Sequence, residues 1–173
     1  MTYDLSGKTV IVTGGASGIG EAAAVLYAKE GCRVVISDLN EEKGNKLAEQ
    51  IKQAGGKAIF VRADVSKPTD CEELVRKTVE NFGSVDIAFN NAGIGGENNP
   101  VADMSIESWD KTIAVNLSSV FYCMKGRDTA NAKTRQGVHR KQFIYSRAGR
   151  FRKRRGVCRG KTWSSRPNKK RGT

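Results

Sequence analysis

Residues 13–20, with the sequence T-G-G-A-S-G-I-G, form the segment of this chain best suited to bind a phosphate group. They follow directly after a short apolar run. Glycine has no Cβ, so the backbone can turn sharply here and can also come close to a pyrophosphate. A helix that begins near Gly18 directs its free N–H groups and the positive end of its dipole at such a phosphate. A glycine cluster alone is weak evidence, and a plain surface loop is the alternative interpretation.

The acidic residue Asp38 lies 20 positions beyond Gly18, where the second apolar run ends. A carboxylate at this point accepts hydrogen bonds from both hydroxyls of a ribose, but it repels a 2′-phosphate. Its neighbours are Ser37 and Leu39, and the glycine-rich segment contains no Arg or Lys. The pattern predicts NAD as the cofactor, with NADP as the weaker alternative. A solvated aspartate at a strand end is the remaining interpretation.

Short apolar runs alternate with longer helical patterns through the first 125 residues. Strands are predicted at 9–12, 33–37, 58–61 and 85–89. The apolar stripes that predict the helices are Ile19, Ala23 and Leu26, then Leu47, Ile51 and Ala54, then Leu74, Val75, Thr78, Val79 and Phe82, and last Trp109, Ile113, Asn116, Val120 and Met124. This alternation predicts right-handed βαβ units, and therefore an α/β fold with a Rossmann-like, doubly wound parallel sheet.

The net charge of +12 averages two unlike segments. Residues 1–125 hold 13 Lys and Arg against 17 Asp and Glu, whereas residues 126–173 hold 17 against 1, a net charge of +16. So sharp a step predicts a domain boundary near residue 125. The basic segment has too few apolar groups to offset the entropy of ordering, so it is predicted to be a disordered tail.

The four cysteines, at positions 32, 71, 123 and 158, include no C-x-x-C pair and are predicted to be reduced, buried thiols. A basic leader followed by an apolar stretch is absent, and no apolar run approaches the roughly 18–20 residues that span a bilayer. We therefore expect a soluble, cytoplasmic protein without a membrane partner. His139 has no partners at metal-ligand spacing, so no metal site is predicted.

Four motifs together resemble the short-chain dehydrogenase/reductase family of the classical type. They are T-G-x-x-x-G-x-G, which differs from G-x-G-x-x-G, then Asp64-Val65, then Asn90-Asn91-Ala92-Gly93, and last Asn116 within A-V-N-L. They occur in the family's order and at its spacing over residues 5–125. The resemblance implies an NAD(P)-dependent oxidoreductase that moves hydride between a small-molecule alcohol and a carbonyl. It also implies that intact relatives form homo-oligomers.

The resemblance also implies roles for individual residues. Asp64 would contact the adenine amino group, and Val65 would pack on the ring. Asn90 would support the central strand, while Ala92 and Gly93 would line the adenosine side. The cofactor-binding candidates are thus Thr13, Gly14, Ser17, Gly18, Ile19, Gly20, Asp38, Leu39, Asp64, Val65, Asn90, Ala92 and Gly93. Asn91 by itself would more often be a turn residue.

Asn116 is the one catalytic candidate. A polar residue on the apolar face of a helix needs a buried partner, so the residue alone is best interpreted as a core amide bonded to backbone. The resemblance instead implies a helix bend that holds a proton-relay water near the catalytic lysine.

The chemistry of the family needs three more residues: a Ser that holds the substrate oxygen, a Tyr that transfers the proton, and a Lys four residues after that Tyr. No Y-x-x-x-K occurs in these 173 residues. Tyr122 is followed by Lys125 at three positions, and Tyr145 by Gly149 at four. This chain, which in that sense is a truncated family member, is therefore predicted to be inactive.

A frameshift near codon 126 is one explanation that the genetic code can test. Synonymous codons for residues 156–164, read one base later, permit G-Y-V-A-A-K-H-G, which contains Y-x-x-x-K. The same shift over residues 138–147 permits S-I-V-N-S-S-S-I-L, with a serine 13 codons before the shifted tyrosine. A genuine basic tail is the alternative.

Three functions follow from these observations: an oxidoreductase by family, a non-catalytic dinucleotide-binding remnant, and non-specific nucleic-acid binding by the basic tail. The charge of the tail attracts polyanions, and its aromatic residues could stack on bases. No nucleic-acid recognition fold is visible, so specific nucleic-acid binding is not expected.

Overall fold

The computed structural model describes residues 4–134, with side chains through Asp128. The elements in chain order are β1 (Thr9–Thr13), α1 (Gly18–Lys29), β2 (Arg33–Asp38), α2 (Glu41–Gln53), β3 (Lys57–Arg62), α3 (Pro68–Phe82), β4 (Ile87–Asn90), a 3-10 turn (Val101–Asp103), α4 (Ile106–Ile113), a π-helical segment (Ala114–Ser118) and α5 (Ser119–Thr134). The alternation of strand and helix predicted from the sequence is confirmed.

The four strands form one parallel sheet in the order β3-β2-β1-β4. The chain winds from β1 outward to β2 and β3, then crosses back to place β4 on the other side of β1. The register pairs Thr13 with Ser37 on one side and with Asn90 on the other. The carboxyl ends of β1 and β4 therefore meet at the point where the winding reverses, which is where open α/β sheets bind ligands.

Apolar residues on both faces of the sheet explain why its strands are continuous apolar runs. Alternate residues of β1 and β2, such as Val10 and Val34, pack with α1 and α2 on one face. The intervening residues, such as Ile11 and Val35, pack with Leu74 of α3 on the other. The predicted Rossmann-like sheet, with helices covering both of its faces, is confirmed.

The buried face of α1 differs from the predicted stripe. Ile19 and Leu26 are 48% and 59% exposed, whereas Gly20 and Ala24 are buried. Small residues let the helix lie close to the sheet, so large apolar side chains are displaced from the contact face. Apolar periodicity alone pointed to the larger residues and therefore to the wrong face.

β4 begins at Ile87, two residues later than predicted. The reason is Asp86, whose carboxylate Oδ2 accepts a hydrogen bond from the Thr9 amide at 2.9 Å. The Thr9 amide thus bonds to the side chain of Asp86 where, in a continued strand, it would bond to a backbone carbonyl. The Asp86 amide in turn donates to the Thr9 carbonyl at 3.0 Å.

The last predicted helix is interrupted and is longer than expected. The π-helical segment separates α4 from α5, and Trp109, predicted to share a buried face with Val120, is 55% exposed. α5 then continues to Thr134, past the boundary predicted near residue 125. Gly126 lies against Val75 of α3, and Arg127 is buried, so packing against α3 extends the helix into the basic segment. The rest of the predicted tail lies outside the described residues.

Candidate functional site

The predicted cofactor-binding residues come together at the carboxyl edge of the sheet. The glycine-rich turn follows β1, Leu39 follows β2, Asp64 and Val65 follow β3, and Ala92 follows β4. Parallel strands place all four connections at this one edge. No element other than the sheet is needed to explain why residues so far apart in the chain are neighbours.

The glycine-rich turn leads directly into α1. The first amide to bond within the helix is that of Glu21, which donates to the Ser17 carbonyl at 3.2 Å. The amides of Gly18 and Ile19 precede that bond, as the first N–H groups of any helix do. The Ser17 hydroxyl makes no capping hydrogen bond, so it too is available to a ligand. The arrangement can bind an anion with backbone N–H groups, one hydroxyl and the helix dipole.

Gly18 and Gly20 meet opposite surroundings. Gly18 has φ +56°, and a Cβ on it would meet nothing within 4 Å, so the space above this residue is open. A Cβ on Gly20 would lie 2.0 Å from the Gly14 carbonyl oxygen and 2.8 Å from the Asn91 amide nitrogen. Gly18 therefore provides the left-handed turn beneath the open space, whereas Gly20 permits the helix to approach the turn before it.

Asn91, which was not among the predicted site residues, joins the turn after β1 to the turn after β4. Its side-chain amide donates to the carbonyls of Thr13 and Gly14, each at 3.1 Å. The Thr13 hydroxyl accepts hydrogen bonds from the amides of Asn91 and Ala92, at 3.1 and 3.2 Å. The usable signal in the sequence was the pair of consecutive asparagines directly after the predicted fourth strand. A simple turn at that point would need only one asparagine.

Asp38 lies against the glycine-rich turn. Its Oδ2 accepts a hydrogen bond from the Ala16 amide at 3.1 Å, and its Oδ1 accepts one from the Asn40 amide at 3.0 Å. The residue is only partly buried, so the carboxylate retains a face toward solvent. It fixes the distance between the carboxyl end of β2 and the phosphate-binding turn.

The turn that carries Asp64 and Val65 is held by the first turn of α3. The Asp70 carboxylate accepts a hydrogen bond from the Asp64 amide at 2.9 Å, and the Cys71 thiol donates one to the Val65 carbonyl at 3.4 Å. Sequence analysis missed Asp70, although Pro68 at the start of a helix with an acidic residue two positions later is a recognisable helix beginning.

Asp64 itself is stabilised as a carboxylate. Its Oδ1 accepts hydrogen bonds from the Ser66 hydroxyl at 2.7 Å and the Ser66 amide at 3.1 Å. The hydroxyl contributes most to lowering the pKa of Asp64 below its ordinary value, and partial burial opposes it. Oδ2 takes no part in these bonds, so it remains able to accept an N–H from a ligand.

Asn116 lies in the π-helical segment, a rare feature that often occurs at functional positions. Its Oδ1 accepts a hydrogen bond from the Ile94 amide at 2.8 Å, and its Nδ2 donates one to the Ile94 carbonyl at 2.9 Å. The predicted bonding to backbone is present, but the predicted core position is wrong, because Asn116 is only partly buried and its partner Ile94 is 36% exposed. Asn116 thereby fixes the segment that follows Gly93 relative to the helices.

Asn90 is buried at the end of β4, and its Nδ2 has no hydrogen-bond partner within residues 4–128. An unpaired buried donor costs about 1–3 kcal/mol, so a ligand that offers an acceptor there is stabilised.

Helices within residues 4–134 are too short or too polar to cross a membrane. Of the four cysteines, those at 32, 71 and 123 are buried and unbridged, as predicted, and the fourth lies outside the described residues.

A parallel sheet with a glycine-rich turn at its reversal point and a carboxylate at the next strand end defines a Rossmann-like protein. A model of the short chain dehydrogenase family matches residues 8–138, and the chain belongs to that family.

Relatives support the same assignment. An uncharacterized oxidoreductase of Thermotoga maritima is 48% identical over 122 residues, covering 70% of this chain and 47% of the relative. A cyclohexanol dehydrogenase of Acinetobacter sp. is 43% identical over 124 residues, covering 72% and 49%. A 2,5-dichloro-2,5-cyclohexadiene-1,4-diol dehydrogenase of Sphingobium indicum is 42% identical over 122 residues, covering 70% and 48%. The chain spans about half the length of these relatives.

Proposed function

We propose that this chain binds NAD at the carboxyl edge of its sheet and, with the present sequence, does not catalyse the family's hydride transfer. The observation that carries the binding proposal is the contact between Asp38 and the Ala16 amide at 3.1 Å. It holds a ribose-binding carboxylate beside an anion-binding turn, as the adjacent ribose and pyrophosphate of a bound dinucleotide require.

Each part of the adenosine diphosphate half of the dinucleotide has a partner in this proposal. The pyrophosphate lies over Gly18, where the backbone amides and the Ser17 hydroxyl donate to it. The adenosine ribose bonds to Asp38, while Ile19 and Leu39, which are 48% and 57% exposed, cover its apolar edges. In a catalytically competent member of the family, the bound nicotinamide would supply the hydride chemistry.

The adenine contacts the turn after β3. Oδ2 of Asp64 accepts a hydrogen bond from its amino group, and Val65 packs on the ring. Thr13, Gly14, Gly20, Asn90, Ala92 and Gly93 shape the rest of the cleft through the contacts between the turns that follow β1 and β4.

NAD is preferred to NADP because the Asp38 carboxylate would lie at contact range from a 2′-phosphate. The test is a fluorescence titration of NADH and NADPH against the full chain. We expect saturable binding of NADH and at least tenfold weaker binding of NADPH. Asp38→Ala should weaken NADH binding and reduce the difference in affinity between NADH and NADPH. Asp110→Asn, an exposed change on α4, serves as the control.

Failure of the NADH titration would contradict the proposal, provided that circular dichroism shows a folded chain. Equal affinity of the wild-type chain for both cofactors would leave the binding site in place but remove the assigned role of Asp38.

Catalysis is not expected because the proton-transfer pair is absent. All four tyrosines of the chain, at 3, 27, 122 and 145, have a glycine four residues later instead of a lysine. A positioned acid or base contributes roughly 100- to 10,000-fold to such reactions. The role left to Asn116 is structural: it holds Ile94 beside the cleft.

We also propose that the basic segment arises from a frameshift near codon 126. It is supported by the Y-x-x-x-K that synonymous codons permit in the shifted frame of residues 156–164. Sequencing an independent clone across codons 120–130 tests it. The same single frame in both clones would reject the frameshift, whereas a one-base difference would supply a restored chain for activity assays with small-molecule alcohols.

A further inference from the structure

Two cysteines from different helices face each other in the interior. Cys71 of α3 is 0% exposed, Cys123 of α5 is 5% exposed, and their Sγ atoms lie 3.6 Å apart. They are 52 residues apart in sequence, so only the fold brings them together. Val65 and the partly buried Ala92 and Tyr122 surround the pair.

Close packing of the two helices allows this approach. Gly126, one turn after Cys123, has no side chain to separate α5 from α3. A Cβ there would lie 3.3 Å from Val75 and 3.8 Å from the Cys71 carbonyl. A disulfide needs the sulfur atoms to close to about 2.05 Å. Closing the remaining distance requires side-chain rotation and a small shift of α5 toward α3, for which the absence of a side chain at 126 leaves room.

We propose that Cys71 and Cys123 are an oxidative modification site, a dithiol that a peroxide converts into a disulfide joining α3 to α5. Cys32 shows what distinguishes the pair: it is also buried, but its thiol donates to the Leu5 carbonyl at 3.3 Å, and within residues 4–128 it makes no hydrogen bond to another sulfur.

The reaction proceeds in two balanced steps. The Cys123 sulfur attacks one peroxide oxygen, so that an S–O bond forms, the O–O bond breaks, and the departing hydroxide takes up a proton as water. The Cys71 sulfur then attacks the sulfenic sulfur, so that the S–S bond forms and a second water leaves. Two thiols are oxidised, and one peroxide is reduced to two waters.

Cys123 is the sulfur that reacts first. It is the more exposed of the two. Cys71 is fully buried, and its only S–H is donated to the Val65 carbonyl, so it is the less available sulfur. Exposure and hydrogen bonding therefore assign attack to Cys123 and resolution to Cys71.

Oxidation would change the cleft through the turn after β3, a consequence that depends on the proposed NAD site. The Cys71 thiol donates to the Val65 carbonyl, and a disulfide has no S–H to donate. Of the two hydrogen bonds between this turn and the side chains of Asp70 and Cys71, only the one from the Asp64 amide to Asp70 would then remain. Loss of one hydrogen bond corresponds to about a fivefold weaker binding of a ligand that needs this turn ordered.

The test is a peptide map of the full chain. The reduced protein is treated with hydrogen peroxide, alkylated with N-ethylmaleimide and digested with trypsin. Each cysteine falls in its own peptide: residues 30–33, 63–76, 112–125 and 156–159. We expect peptides 63–76 and 112–125 to appear as one disulfide-linked species in more than half of the protein.

Cys71→Ser and Cys123→Ser should each abolish that species, and Cys32→Ser should retain it. The inference is wrong if both peptides carry N-ethylmaleimide, if either pairs with 156–159, or if each is oxidised to a sulfinic acid without a link. The wild-type map decides the matter by itself should a serine variant fail to fold.

An NADH titration before and after oxidation separates the two proposals. A linked peptide with about fivefold weaker NADH binding supports both. A linked peptide with no NADH binding in either state supports the dithiol and rejects the nucleotide site. Binding without a linked peptide rejects the dithiol alone.

Discussion

Gly20 is the residue whose side-chain size most directly limits the cleft. Gly20→Ala would place a Cβ 2.0 Å from the Gly14 carbonyl oxygen, so the turn and helix must separate. We expect a loss of about 2 kcal/mol in the free energy of unfolding, a typical cost of overpacking. Urea unfolding measures it, with Gly95→Ala as the control because a Cβ there meets nothing within 4 Å. Equal stability of the two variants would contradict the contact.

Asp64 tests the electrostatics of the turn after β3. Because its pKa is lowered in the folded state, chiefly by the Ser66 hydroxyl, its contribution to stability is present above the unfolded pKa. That contribution is lost as the pH falls through the folded pKa. Ser66→Ala should raise the pKa of Asp64 toward its ordinary value, followed by the carboxyl ¹³C signal during an acid titration. Thr69→Ala, an exposed change at the start of α3, is the control, and no difference between the variants would contradict the assigned hydrogen bond.

At the residue scale, sequence analysis found the residues whose chemistry is visible from type and spacing, such as Gly18 and Asp38. It missed Asn91 and Asp70, because each acts through backbone groups: Asn91 through those of a distant turn, and Asp70 through the amide of Asp64, six residues earlier. Those partners are 77 or 78 residues away from Asn91 in the chain. Only the register of the sheet makes them neighbours, and a single sequence does not give that register.

Among the elements, the π-helical segment carries the candidate residue Asn116. Asn116→Ala would remove both hydrogen bonds to Ile94. We expect faster hydrogen exchange of the Ile94 amide and its neighbours, by about thirtyfold, since each of the two lost bonds is worth about 1 kcal/mol. Exchange followed by mass spectrometry measures this, and Asn99→Ala on the same connection is the control. Unchanged exchange would mean that Asn116 does not hold this segment.

Strands were more predictable than helix faces. Continuous apolar runs defined all four strands to within two residues, because both faces of a parallel sheet are buried. The prediction of which face of α1 is buried was wrong, because contact with the sheet depends on small residues such as Ala24. The π-helical segment was implied only as a bend by family resemblance, because one extra residue in a helical turn leaves no periodic signal.

For the molecule as a whole, the absence of Y-x-x-x-K predicts no dehydrogenase turnover. Absorbance at 340 nm should not rise when the full chain is mixed with NAD and an alcohol panel that includes cyclohexanol. The control is a chain of the same family that carries the pair. Turnover by this chain that disappears in Asp38→Ala would contradict the proposed loss of catalysis.

The step in charge near residue 126 lies within α5 and not between two structural elements. The basic segment begins near residue 126, yet α5 continues to Thr134. Composition registers where charge changes, whereas a helix ends where its packing ends. The buried Arg127, whose guanidinium pairs with Asp128 at 2.5 Å, illustrates the difference.

The measurement closest to the central claim is an amide NMR titration of the isotope-labelled full chain with NAD. We predict saturable shifts clustered on the turns after the four strands, including Gly18, Asp38 and Asp64. Shifts that never saturate, or that cluster instead on the α1–α2 surface around Val25 and Leu47, would contradict a nucleotide site at the carboxyl edge of the sheet.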